Sequence, residues 1–98
     1  MTIDTIRQAV IPACKKFAVR HLDVFGSVVR NQETAISDID LLVEFNEPER
    51  TPAQRFFGLL HYLEDTLGCK IDLLTTNGLH NPYFKSRVLK EKVTIYEG

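Results

Sequence analysis

The sequence lacks most of the features that mark specialised classes of protein. Among its 98 residues there is no tryptophan, one methionine and two cysteines. No apolar run approaches the roughly 20 residues that a membrane helix needs. Cys14 and Cys69 are far apart and have no metal-ligand spacing, which argues against a disulfide scaffold or a zinc site. The N-terminus has no basic stretch before an apolar run, so we expect a cytoplasmic protein with no export signal and no membrane contact.

An excess of charge is also missing. The chain has 12 Lys and Arg against 13 Asp and Glu, a net charge of -1. General attraction to a polyanion is therefore weak, and direct nucleic-acid binding is not expected. A contact with a nucleotide would have to come from a local site. The length predicts one domain, residues 1–98.

The hydrophobic periodicity predicts helices that alternate with strands. Strands are expected at 20–25, 38–45, 70–75 and 93–96, and helices at 3–17, from Thr51 to Gly68, and at 82–91. A further short helix is expected at 27–31, followed by a polar connection. Pro12 should kink or interrupt the first helix, and Thr51 and Gln54 should form a capping box. The fold class is α+β, a small mixed sheet with helices packed mainly on one face.

Two short motifs stand out against this background. Gly26-Ser27 follows the first predicted strand, and Asp38-Ile39-Asp40 begins the second. A glycine lets the backbone approach a phosphate closely, and a serine at a helix start adds a hydroxyl and exposed N–H groups. Carboxylates at i and i+2 of a strand point the same way and suit Mg²⁺, which prefers oxygen ligands. Together the motifs predict a site for nucleotidyl transfer.

Two further residues could complete such a site. Asp72 interrupts the apolar strand 70–75 and is expected on the same side as the acid pair. There it could serve as a third metal ligand and accept a proton from the attacking hydroxyl. Arg30 lies one helical turn after Ser27 and could neutralise a pyrophosphate.

Each of these features also has an ordinary explanation. A Gly-Ser pair is usually only a turn, and an Asp-x-Asp pair is usually a set of solvated acids. Asp72 could be a solvent-facing acid of an edge strand, and Arg30 a surface salt-bridge residue. The combined placement favours the catalytic interpretation, because the turn follows a strand and the acids begin one.

The segment GSVVRNQETAISDIDLLVEF resembles the signature of the polymerase-beta-type nucleotidyltransferase superfamily. The short length and the ending NPYFKSRVLKEKVTIYEG resemble its minimal nucleotidyltransferase (MNT) branch, antitoxins that are paired with HEPN-domain RNase toxins. The resemblance implies a polymerase-beta-like fold, with Asp38, Asp40 and Asp72 as ligands of Mg²⁺. It also implies nucleotide contacts from Gly26, Ser27, Arg30 and Ser37. Members of this branch transfer AMP from ATP to a tyrosine of the partner toxin, in a hetero-oligomeric complex.

Other functions remain open at this point. The chain could be an antitoxin that neutralises its toxin by binding alone, or a nucleotidyltransferase acting on a small molecule or RNA. The three histidines are dispersed and are expected to have structural or solvent roles. The basic residues of the C-terminal segment do not share one face, which favours a solvated helix over an RNA- or partner-binding patch; they are Lys85, Arg87, Lys90 and Lys92.

Overall fold

Four strands form one mixed sheet in the computed structural model, which describes residues 2–26, 29 and 39–98. The strands are β1 (Val19–Phe25), β2 (Ile39–Phe45), β3 (Ile71–Thr75) and β4 (Val93–Glu97), in the order β3-β2-β1-β4. β1 pairs antiparallel with both β2 and β4, whereas β2 and β3 are parallel. Parallel neighbours need a crossover connection, which a helix between them supplies.

Three α-helices surround the sheet in the described part of the chain: α1 (Ile3–Lys16), α2 (Pro52–Leu67) and α3 (Pro82–Glu91). α1 and α2 bury Ile6, Val10, Leu59 and Leu63 against one face. α3 packs on the other face through Val88. The predicted α+β fold, with helices mainly on one side of a mixed sheet, is confirmed.

The alternation of side chains along the strands sorts residues between the two faces. On β2, Ile39, Leu41 and Val43 enter the main core, while Leu42 joins a smaller cluster with Phe25 and Val88. Because successive side chains of a strand point to opposite faces, Asp40 lies on the face that α3 covers. The same alternation on β3 places Asp72 on that face.

Pro12 does not interrupt the first helix, which is continuous from Ile3 to Lys16. Proline removes one backbone donor and disfavours the helix interior. The side chain of Pro12 is exposed, whereas Val10, Ala13 and Cys14 are fully buried around it. Burial of this apolar face stabilises the helix enough to offset the missing hydrogen bond.

Thr51 occupies the N-cap position of α2 as expected, but the predicted capping box does not form. The Thr51 backbone is left-handed, with φ 40°, and its side chain makes no cap hydrogen bond. A capping side chain normally requires an extended N-cap backbone. Gly68 ends the helix with φ 66°, in the left-handed conformation typical of a C-terminal glycine.

Two predicted features fall largely outside the described residues: the short helix at 27–31 and the polar connection that follows it. None of the helices within the described ranges is long and apolar enough to cross a membrane.

Candidate active site

Two carboxylates lie side by side on the face of the sheet that α3 covers. Asp40 of β2 and Asp72 of β3 are direct partners in the parallel register. Neighbouring strands are about 4.8 Å apart, which brings the two acidic side chains onto one small surface. The residues before and after each acid are buried on the opposite face of the sheet. For Asp72 these neighbours are Ile71 and Leu73, and their burial fixes the orientation of Asp72. The structure therefore brings together two of the three acids that the sequence singled out.

Gly26 follows β1 and closes one side of this acidic surface. Its φ of 76° lies in the left-handed region, which glycine adopts without a steric cost. A Cβ added at Gly26 would stand 2.1 Å from Asp40 Oδ2, far inside van der Waals contact. Backbone conformation and close approach thus both require glycine here.

The backbone N–H of Gly26 donates a hydrogen bond of 3.1 Å to Glu91 Oε1. Glu91 is the last residue of α3 and is half-buried. The sequence pattern did not single out Glu91, because nothing local connects two residues 65 positions apart. This bond joins the end of α3 to the turn at which the nucleotide was expected.

A cavity of about 190 Å³ opens over the acids. Its lining comes from β1, β2, β3 and α3 and consists of Phe25, Gly26, Asp40, Asp72, Phe84, Arg87 and Glu91. A larger cavity of about 470 Å³ lies near the other ends of β2 and β3, beside Glu44, Phe45 and Asn77. The smaller cavity is the candidate site, because its lining contains the paired acids and Gly26.

Four of the predicted site residues lie outside the described ranges: Ser27, Arg30, Ser37 and Asp38. Asp40 and Asp72 offer the hard carboxylate oxygens that Mg²⁺ prefers, so the donors present fit this ion. Among residues 2–26, 29 and 39–98, no three His, Cys, Asp or Glu side chains form a metal-binding group. A complete set of three acids would require Asp38.

A buried polar cluster supports the same face of the sheet from β1. Asp23 is only 2% exposed, and its carboxylate accepts from Thr94 Oγ1 at 2.8 Å and pairs with Lys92 Nζ at 3.2 Å. The ring Nε2 of His21 lies 2.8 Å from the same carboxylate. The structural role expected for His21 is thus seen. Asp23 connects β1 to β4 and to the residue that follows α3, a role no sequence pattern indicated.

The family model for the nucleotidyltransferase domain matches residues 6–95. The chain belongs to the nucleotidyltransferase domain family. The protein adenylyltransferase MntA of Thermococcus cleftensis is 37% identical to this nucleotidyltransferase over 101 residues, covering 97% of each chain. A structure described as a candidate minimal nucleotidyltransferase has 33% identity and a TM-score of 0.78, covering 95% of each chain. The resemblance drawn from the sequence motif is confirmed.

A second solved structure has a much lower sequence identity, and its similarity to this chain shows the fold alone. The structure of a tri-AMPylated HEPN toxin of Shewanella oneidensis in complex with an MNT antitoxin matches with a TM-score of 0.69 at 14% identity. The match covers 99% of this nucleotidyltransferase and 74% of that chain. The polymerase-beta-like architecture is thus shared well beyond the range of close sequence similarity.

Proposed function

We propose that this nucleotidyltransferase is an antitoxin that transfers AMP from ATP to a tyrosine hydroxyl of a HEPN RNase toxin and so neutralises it. Residues 1–98 act in this proposal as one catalytic domain. The observation that carries it is the in-register pair of Asp40 and Asp72 beside the Gly26 turn. The two acids, the glycine and the cavity support transfer of a nucleotidyl group, and Asp38 would complete the set of three acids.

The acceptor is assigned from the relatives and from the surface around the cavity. The related protein of Thermococcus cleftensis is named a protein adenylyltransferase, and the Shewanella oneidensis complex contains an AMPylated HEPN toxin. α3, which walls the cavity, carries three exposed large side chains: Tyr83, Phe84 and Leu89. A protein partner that covers this helix would bring its own tyrosine to the cavity.

The reaction exchanges one oxygen–phosphorus bond for another. The tyrosine oxygen attacks the α-phosphorus of ATP, a new bond forms between them, and the bond to pyrophosphate breaks. The Asp72 carboxylate accepts the phenolic proton in this proposal, since it is exposed and lines the cavity. Gly26 offers an approach for the phosphate chain without a side chain in the way.

Mg²⁺ would be held by Asp40 and Asp72, with Asp38 as the third acid that the motif implies. When bound, the ion neutralises negative charge on the phosphate oxygens. Asp40 also contacts the Gly26 backbone, so the position of this carboxylate relative to the phosphate turn is fixed by the fold.

The test combines the purified protein with the product of its neighbouring gene, Mg²⁺ and labelled ATP. Mass spectrometry of the partner should show adenylate on a tyrosine, and RNase activity should fall in parallel. Asp40→Asn and Asp72→Asn should abolish labelling, while Asp65→Asn, which changes an exposed acid on α2, should not.

Two results would contradict the proposal. If the partner is neutralised without gaining adenylate, the chain acts as a binding antitoxin. If label appears only on RNA or on a small molecule, the acceptor is wrong although the transfer chemistry stands.

A further inference from the structure

Arg87 lies on the wall of the acidic cavity, although its sequence context indicated only a solvated helix. It is one helical turn before Glu91, so both side chains lie on the same face of α3. Both line the cavity, together with Phe84 from the preceding turn. This face of α3 is therefore the second wall of the site, opposite the strands that carry the acids.

The backbone of α3 is held in place at several points. Val88 is fully buried in a cluster with Phe25 and Leu42. The Phe84 ring packs edge-to-face on Phe25 with 6.3 Å between ring centroids. At its C-terminal end, Glu91 accepts from the Gly26 N–H. These contacts fix the helix that presents Arg87 to the cavity.

The ion pair of Lys92 with Asp23 adds a fixed point directly after the helix. Asp23 belongs to β1, the strand that leads into Gly26. The end of α3 and the glycine turn are therefore held by the same strand.

The other described arginines each have a partner within the protein. Arg7 pairs with Asp4, Arg20 with Glu44 and Arg50 with Glu47. The guanidinium of Arg55 donates to three backbone carbonyls. Arg87 is exposed and makes no hydrogen bond or ion pair with any residue that the structure describes. Its guanidinium is available to a ligand.

The charged side chains that line the cavity indicate which chemical class of ligand Arg87 would bind. Asp40, Asp72 and Glu91 contribute three carboxylates, and Arg87 is the one basic side chain among the described lining residues. The phosphate chain of a nucleoside triphosphate must enter this negative surface. A guanidinium binds phosphate oxygens with two parallel hydrogen bonds, which a carboxylate-lined wall cannot offer.

We propose that Arg87 binds the phosphate chain of the incoming nucleotide from the α3 side of the cavity. This inference rests on the proposed function and adds a nucleotide-contacting residue to it. Arg87 also stabilises the charge that moves onto pyrophosphate as the bond to the α-phosphorus breaks.

The test measures binding of ATP, adenosine and inorganic pyrophosphate by calorimetry, with Mg²⁺ present, for wild type, Arg87→Gln and Arg87→Lys. Lys90→Gln is the matched control, because it removes the same charge from an exposed position of α3 outside the cavity lining. Arg87→Gln should weaken ATP and pyrophosphate binding by about 10- to 100-fold, the range for a lost hydrogen bond to a charged group. Arg87→Lys should recover part of the loss, adenosine binding should not change, and the melting temperature should stay within about 2–4 °C because the side chain is exposed.

Equal affinity for ATP in wild type and Arg87→Gln would overturn the inference, as would an equal loss in Lys90→Gln. If Arg87→Gln transfers AMP as well as the wild type does, only this inference is contradicted. If ATP binding depends on Arg87 but the wild type modifies no partner, only the proposed function is contradicted.

Discussion

The α-carbon of Gly26 lies against the carboxylate of Asp40, so closely that a Cβ would stand 2.1 Å from Oδ2. This contact joins the turn proposed for the phosphates to an acid proposed for the metal. The sheet holds the two backbones together, because Gly26 follows β1 and Asp40 is paired with Phe25 of that strand.

Gly26→Ala should therefore damage the site more than the fold. The new methyl group must displace the Asp40 carboxylate, and we expect AMP transfer to fall by about 100-fold or more, as for other misplaced catalytic groups. A positive φ adds about 1–2 kcal/mol of backbone cost for alanine. Gly68→Ala is the matched control, since Gly68 also has a positive φ but no atom within 4 Å of its Cβ position. Similar losses of activity in the two variants would contradict the proposed role of this contact.

Removal of either described acid should change how Mg²⁺ affects stability. Like charges opposite each other on paired strands destabilise a sheet, so Asp72→Asn should melt slightly higher than wild type without Mg²⁺. At tenfold excess over its dissociation constant, a bound ion stabilises the wild type by about 1.4 kcal/mol, and both variants should lose this gain. Thermal melts with and without Mg²⁺ measure both effects, with Asp65→Asn as the control. An undiminished Mg²⁺ effect in both variants would show that these acids do not bind the ion.

Asp23→Asn should destabilise the fold. The substitution keeps the shape of the side chain but leaves Lys92 without its buried counter-charge. We expect a loss of about 3 kcal/mol, the low end for a buried pair, because the Lys92 side chain is 30% exposed. Glu44→Gln removes one partner of the exposed pair with Arg20, in which N and O are 3.8 Å apart, and should cost less than about 0.5 kcal/mol. Urea unfolding measures both. A loss below 0.5 kcal/mol in Asp23→Asn would mean that the cluster is not structural.

Arg55→Lys should lower the free energy of unfolding nearly as much as loss of the whole side chain would. Arg55 is 9% exposed, and its guanidinium donates to the backbone carbonyls of Asn46, Glu47 and Arg50 while it stacks on Phe45. A lysine cannot reach three carbonyls at once, and we expect a loss of about 2–3 kcal/mol from the unsatisfied groups. Arg50→Lys, at an exposed position, should stay within about 0.5 kcal/mol. Comparable losses in the two variants would contradict the buried role of Arg55.

The two thiols should react at very different rates. Burial raises the pKa of the Cys14 thiol to about 12 from an ordinary value of 9.0. Since the thiolate is the reactive form, its fraction in the folded protein at pH 8 is about 1,000-fold below that of an unperturbed thiol. Alkylation of the native protein should label Cys69, which is partly exposed, and reach Cys14 only after unfolding. Rapid labelling of Cys14 at pH 8 would show that α1 opens readily.

Much of the fold followed from local patterns. The four strands and three helices lie within a few residues of their predicted bounds, because alternation and helical spacing are set by short-range geometry. The same alternation correctly placed Asp40 and Asp72 on one face. The predictions for Pro12 and Thr51 were wrong in part, since packing stabilised a helix through the proline and the backbone of Thr51 turned its side chain away.

The roles of Ser27, Arg30, Ser37 and Asp38 stay predictions, because these residues lie outside the described ranges. The contributions of Asp23, Glu91 and Arg87 were missed for another reason. Glu91 and Arg87 depend on where α3 returns to the sheet, and Asp23 depends on Lys92 and on Thr94 of β4; no short sequence window contains both ends of these contacts.

The sequence by itself predicted one side of the candidate site, and its alternation pattern determined that Asp40 of β2 and Asp72 of β3 share a face, beside the Gly26 turn that follows β1. Only the tertiary structure decided the other side. The burial of Val88 brings α3 across the sheet, and the hydrogen bond between Gly26 and Glu91 joins residues 65 positions apart. Long-range packing therefore gives the acidic surface its second wall and places Arg87 on it.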